Sequence, residues 1–225
     1  MATIATVSEV LRALAALDDP AMRAANARHG DDHGVNLTRL RALAKELKTQ
    51  HELALALWAT GDTAARLLAT LICRPRIFTA DELDAMIRDT RAPKLLDWLL
   101  VNVVKPGRHA EELRRRWKDD DDLVGRAGWS LTTDRVVKTA EGLDLDALLD
   151  QIEREMKDAP ERKQWAMNHC LAEIGIHHAR LRPRAIAIGE RLAVHIDYPA
   201  SPGCLPPYAP VWIAEMVRRR EGARA

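Results

Sequence analysis

The chain has 225 residues, with 34 Lys+Arg against 33 Asp+Glu for a formal net charge of +1, and 47% of it is hydrophobic though only 4% is aromatic. That apolar fraction excludes a disordered chain, and the 3 Cys exclude a disulfide scaffold. No apolar run approaches the roughly 18 residues of a membrane span, and near-neutral charge excludes a uniformly basic nucleic-acid coat, though not a local patch.

Helical periodicity dominates from the start. Val7, Val10, Leu11 and Leu14 recur at i, i+3, i+4 and i+7, with Ser8 as the expected cap. Leu37, Leu40, Leu43, Ala44 and Leu47 repeat the pattern behind Asn36. Leu53, Leu57 and Trp58 form the next stripe, which Gly61 ends, and Ala64, Leu67, Leu68, Leu71 and Ile72 form another. Thr79 through Glu82 is a capping box that opens a helix through Leu83, Met86 and Ile87. Leu95 to Val104 is apolar nearly all round, which predicts a buried helix ended by Lys105-Pro106-Gly107. Later helices are expected over 109–118, 122–138, 144–157, 160–175, 179–193 and 208–221, with Leu192 to Ile196 as a helix end. Tyr198 to Pro210 holds 5 Pro and one Gly, so it reads as an irregular loop.

About a dozen short helices with tight joins predict an all-α fold, an α-α superhelix of HEAT-like or armadillo-like repeats with a concave groove, since the pairs recur at the 35–45-residue period of such arrays. A compact bundle is the alternative. The expected organisation is a repeat domain over 1–193, followed by a Pro-rich loop and C-terminal helix over 194–225 that pack on it.

Candidate chemistry is sparse. Asp97 sits between Leu95-Leu96 and Trp98-Leu99-Leu100, where a carboxylate is costly unless it is paired or faces a cleft. It is either a structural acid bridged to an arginine or an electrostatic group in a groove. Arg126, flanked by Gly125 and Gly128, is its natural partner, unless the glycines mark helix packing and the arginine is exposed. Asp119 to Asp122 reads as a solvated turn that favours a helix N-terminus, because it lacks the glycine and distal glutamate of a calcium loop. Trp165 and His169 share one helix face at i and i+4. His177, His178 and His195 are too scattered for a ligand set. His195, Asp197 and Cys204 form at most a second polar cluster, against a plain structural loop. Residues 176–225 carry 8 Arg and no Lys against 4 acids, a local net of +4 that suits phosphates or a solvated last helix. Cys73, Cys170 and Cys204 have no metal or redox spacing and the N-terminus has no secretory pattern, so a cytoplasmic protein with reduced thiols is expected.

The stretch His33-Gly34-Val35-Asn36-Leu37-Thr38-Arg39-Leu40 through Lys45-Glu46-Leu47, continued by His51-Glu52-Leu53 to Thr60-Gly61, resembles the entry motif of the AlkD-like DNA alkylation repair proteins. Leu96-Asp97-Trp98, Arg126-Ala127-Gly128-Trp129 and Met167-Asn168-His169-Cys170 to Gly175 follow in the family's order, so the resemblance covers roughly residues 10–190. It implies a HEAT-like repeat array holding alkylated double-stranded DNA in a basic groove. The implied reaction hydrolyses the N-glycosidic bond of cationic N3- or N7-alkylated purines, without metal or cofactor, by a monomer away from membranes. A cationic base is already a good leaving group, so the site needs chiefly a carboxylate for the developing sugar cation. The resemblance puts that carboxylate on Asp97 and a phosphate-holding arginine on Arg126. The family's two cleft tryptophans fall on Pro93 and His169, with Trp98 and Trp165 nearby as further DNA-contacting candidates. The tail from Val194 to Cys204 resembles a subgroup extended by a Gly-Cys loop and a last helix. Two other readings stand beside the glycosylase: a DNA-binding member with lost or altered chemistry, and a helical protein-interaction scaffold.

Overall fold

The computed structural model describes residues 6–201 and 203–222. Thirteen α-helices follow one another with short joins among the described residues, and the β content there is an isolated bridge between Asp18 and Val35. The chain divides into two compact units, Met1–Glu112 and Leu113–Ala225.

The first unit holds α1 (Val7–Ala16), α2 (Pro20–Ala27), α3 (Leu37–Leu47), α4 (His51–Ala59), α5 (Thr63–Ile72), α6 (Ala80–Asp89) and α7 (Pro93–Leu99). Thr6, not Ser8, caps α1, because Thr6 and Glu9 close a reciprocal capping box. Asn36 caps α3 and the Thr79–Glu82 box opens α6, as the sequence leads one to expect. At the centre lies α5, which buries Leu67, Leu68, Ala64, Ala65 and Ala69 and packs on α1, α3, α4 and α7. Small Ala64, Ala65 and Ala69 let these helices approach closely.

The 28–36 segment explains much of the entry motif. Gly34 donates its N–H to Asp18 at 3.0 Å, and a Cβ there would meet the Asp18 carboxylate and the Asp19 carbonyl. Asp31, buried, accepts from the Lys94 N–H at 2.8 Å and so caps α7 across 63 positions of sequence. Pro93 occupies the first turn of α7, where a missing N–H costs nothing, and its ring faces Gly30.

The apolar run from Leu95 does not continue as one α-helix. It turns at Leu100 into a π-helical stretch, Leu100–Val104, which buries Leu100, Val103 and Val104 but leaves Val101 59% exposed. The wider turn rotates the register, so apolar residues all round the helix do not all face inward.

The division of the chain falls inside α8 (Ala110–Lys118). The second unit then holds α9 (Asp122–Lys138), α10 (Leu145–Glu155) with a 3-10 turn to Asp158, α11 (Glu161–His177), α12 (Arg182–Leu192) and α13 (Ala209–Gly222). Its core is built on α11: Met167, Cys170, Leu171 and Ile174 pack with Trp129, Leu149, Ile152, Ala185 and Ile213. Burial pushes the Cys170 thiol up to about 12 and Cys73 to about 11, so both stay protonated and unreactive at neutral pH. Gly125 and Gly128 let α9 lie against the backbone of the preceding turn and of the end of α8. Gly175 and Gly189 do the same for α13, whose Ile213 and Pro210 sit where Cβ atoms would be.

Candidate nucleic-acid interface

Asp97 and Trp98 belong to the first unit; Arg126, Trp165 and His169 belong to the second. Asp97 is the half-buried residue in a run, Leu95 to Leu100, whose other side chains are all buried. Trp98 is 8% exposed, and the Arg41 guanidinium lies 4.7 Å from its ring centre. That cation–π contact holds the Arg41 cation against the Trp98 ring. Arg126 is half-buried on α9, carried between the two glycines that press this helix onto α8.

Trp165 and His169 lie on one face of α11 but have separate partners. Trp165 meets His195 at 4.5 Å between ring centres and Tyr198 edge-on at 5.1 Å. His169 stacks flat on Trp212 of α13, at 5.2 Å and 12° between planes. It also reaches Glu173, with 3.3 Å from Nε2 to the carboxylate. Burial alone would raise the Glu173 pKa, but the His169 hydrogen bond and the charges of His169, His177 and Arg220 hold it below the ordinary carboxylate value. His177 Nε2 stands 2.9 Å from the Arg220 guanidinium and 3.1 Å from the Glu173 carboxylate, so one ring nitrogen faces both charges. Burial, then the Arg220 charge, lowers the His177 pKa.

The turn after α12 is the part that sequence reading missed. Ala193 and His195 both hold left-handed backbone, at φ +53° and +60°. The turn swings His195 and Tyr198 onto Trp165, and Asn168 donates to the Pro207 carbonyl at 2.7 Å to tie down the Pro-rich loop. The signal present in the sequence was the aromatic at each end of this loop, Tyr198 and Trp212. Cys204 lines the resulting cleft, while His195 joins the aromatic cluster.

Among the described residues no group of three or more His, Cys, Asp or Glu is placed to hold a metal ion. No described helix is long and apolar enough to cross a membrane.

The helical architecture defines a class, the HEAT-like repeat proteins. A family model described as DNA alkylation repair enzyme matches residues 10–209, and the chain belongs to that family. A solved structure described as "a new family of proteins related to the HEAT-like repeat DNA glycosylases with affinity for branched DNA structures" superposes with a TM-score of 0.77. It covers 98% of this chain and 96% of its own at 22% identity. No curated protein matches the chain.

Proposed function

We propose that this protein binds DNA through its phosphate backbone and prefers branched to linear duplex, rather than working as an efficient alkyl-purine glycosylase. The observation that carries this reading is the state of the two positions where the family resemblance places tryptophan. Pro93 is committed to starting α7 over Gly30. His169 is committed to Trp212 and Glu173. Neither offers the large free ring face that would flank a damaged nucleotide. The structural neighbour is described as having affinity for branched DNA, which supports the preference. In this reading Arg126 meets a phosphate, and Trp165, with His169 and Trp212 behind it, presents an aromatic surface to the strand. Trp98, under Arg41, supports a cationic patch in the first unit.

The test is fluorescence anisotropy with a labelled four-way junction and a linear duplex of the same length. Tighter binding of the junction, by about tenfold, is expected, and Arg126→Ala weakens both. Equal affinity for the two DNAs overturns the branched preference.

A second reading keeps the chemistry, favoured by the partial exposure of Asp97 within an otherwise buried run. Asp97 would then stabilise the sugar cation as an N3- or N7-alkylated purine leaves, with no metal or cofactor. Release of 7-methylguanine by the wild type that disappears in Asp97→Asn would establish it. DNA binding without base release leaves the first reading standing.

A further inference from the structure

We propose that the cleft formed by α11, the turn after α12 and α13 takes an unpaired DNA nucleobase. The base stacks against Trp165 and Tyr198, and its backbone phosphate lies beside the arginines of α13. This rests on the DNA-binding reading above and names what one surface of the second unit would recognise.

The cleft has a volume of about 560 Å³, lined by Trp165, Tyr198, Pro199, Leu205, Trp212 and Arg219 among others. That lies in the range of roughly 300–1,000 Å³ typical of small-molecule sites. In a chain so poor in aromatics, Trp165 is 38% exposed and Tyr198 48% exposed, side by side at one cleft. Large rings left in water next to each other mark a stacking surface rather than a core.

The surface is held ready. His195 packs on Trp165 from a left-handed backbone, a conformation that persists only where the surroundings impose it. Its Nε2 is buried without a hydrogen-bond partner. Trp212 is braced flat by His169, itself bonded to Glu173, and the Asn168–Pro207 bond fixes the loop. Ordering these rings before the ligand arrives lowers what binding must spend on entropy.

The charge selects the ligand. Among the described residues that line the cleft, Arg219 is charged and none is acidic. Arg218 and Arg219 share a single carboxylate, Glu215, whose pKa their hydrogen bonds pull down to about 2. Two guanidiniums against one carboxylate leave net positive charge at every physiological pH. A ring-stacking surface beside net positive charge matches a base joined to its phosphate. A paired base inside a duplex has no free face to offer, so the base must be unpaired, as at a flap, a gap or an opened branch point.

The experiment uses the full chain and two four-way junctions. One is fully paired; the other carries a three-nucleotide unpaired flap with 2-aminopurine at its centre. On binding, wild type is expected to quench the 2-aminopurine emission and to hold the flapped junction at least tenfold tighter than the paired one. Tyr198→Ser should abolish that tenfold preference while leaving affinity for the paired junction within twofold, and Trp165→Ala should abolish it while also weakening the paired junction. Trp165→Phe keeps a ring and should retain most of it, which also separates stacking from misfolding. Arg219→Glu should weaken flap binding and reduce its salt dependence. If wild type binds both junctions alike, or quenching persists unchanged in Trp165→Ala and Tyr198→Ser, the cleft assignment falls and DNA binding stands. If no DNA is bound by the folded wild type, both readings fall.

Discussion

At Ala193 the backbone sits at φ +53°, where an alanine Cβ crowds the following carbonyl. Glycine carries no such crowding, and the roughly 1–2 kcal/mol relieved outweighs its extra loss of chain freedom, so Ala193→Gly should raise stability by about 0.5–1 kcal/mol, measured by urea unfolding; an unchanged or lower value would show that the turn is not strained. The histidines make a second point. His33, His177 and His195 all have pKa values lowered by burial below the ordinary 6.5. The unfolded chain therefore takes up protons first as pH falls below 6.5, and the folded state loses stability from there down through the folded pKa values. Glu173, held below its ordinary 4.5, extends the loss under that value. The thermal midpoint should accordingly drop between pH 7.5 and pH 5 and again below 4.5. A midpoint that rises on acidification would contradict the placement of these side chains.

Glycines set the spacing of the elements, and they are not equivalent. At Gly128 a Cβ would strike the backbone of Trp117 and Lys118, which cannot move without shifting α8. At Gly175 it would meet the tip of the Ile213 side chain, at 2.6 Å, which can rotate away. Gly128→Ala should thus cost about 1–3 kcal/mol, and Gly175→Ala distinctly less, in paired urea titrations; the reverse order would mean that α13 is the more rigid contact. The same elements show where pattern reading works. Helix boundaries from α8 onward lie within a few residues of those expected from periodicity, because amphipathic stripes and prolines report local geometry directly. The π-helical stretch after α7 and helix α2 were not legible. The first departs from the 3.6-residue period assumed, and the second buries no residue at all, so it leaves no apolar stripe.

For the molecule as a whole, near-zero net charge hides a polarised distribution. The last 50 residues carry a net of +4, held largely on arginines of α12 and α13. If phosphates bind there, affinity for any DNA should fall steeply as salt rises, with a log–log slope near −0.9 for each phosphate contacted. Replacing Arg218 and Arg219 by Gln should make that slope shallower by up to about 2; an unchanged slope would place the phosphate contacts elsewhere.

The sequence by itself determined the all-helical repeat class, the caps of α3 and α6, and membership of the DNA alkylation repair family, because periodicity, capping boxes and ordered motifs are local properties of the chain. Only the tertiary structure decided what each of the 6 Trp does. Trp117 and Trp129 are fully buried, and Trp58 and Trp98 lie under arginines. Trp165 and Trp212, 47 positions apart, meet at one cleft. A ring's neighbours come from helices far away in the chain, so its burial or exposure is set by packing that no local pattern encodes.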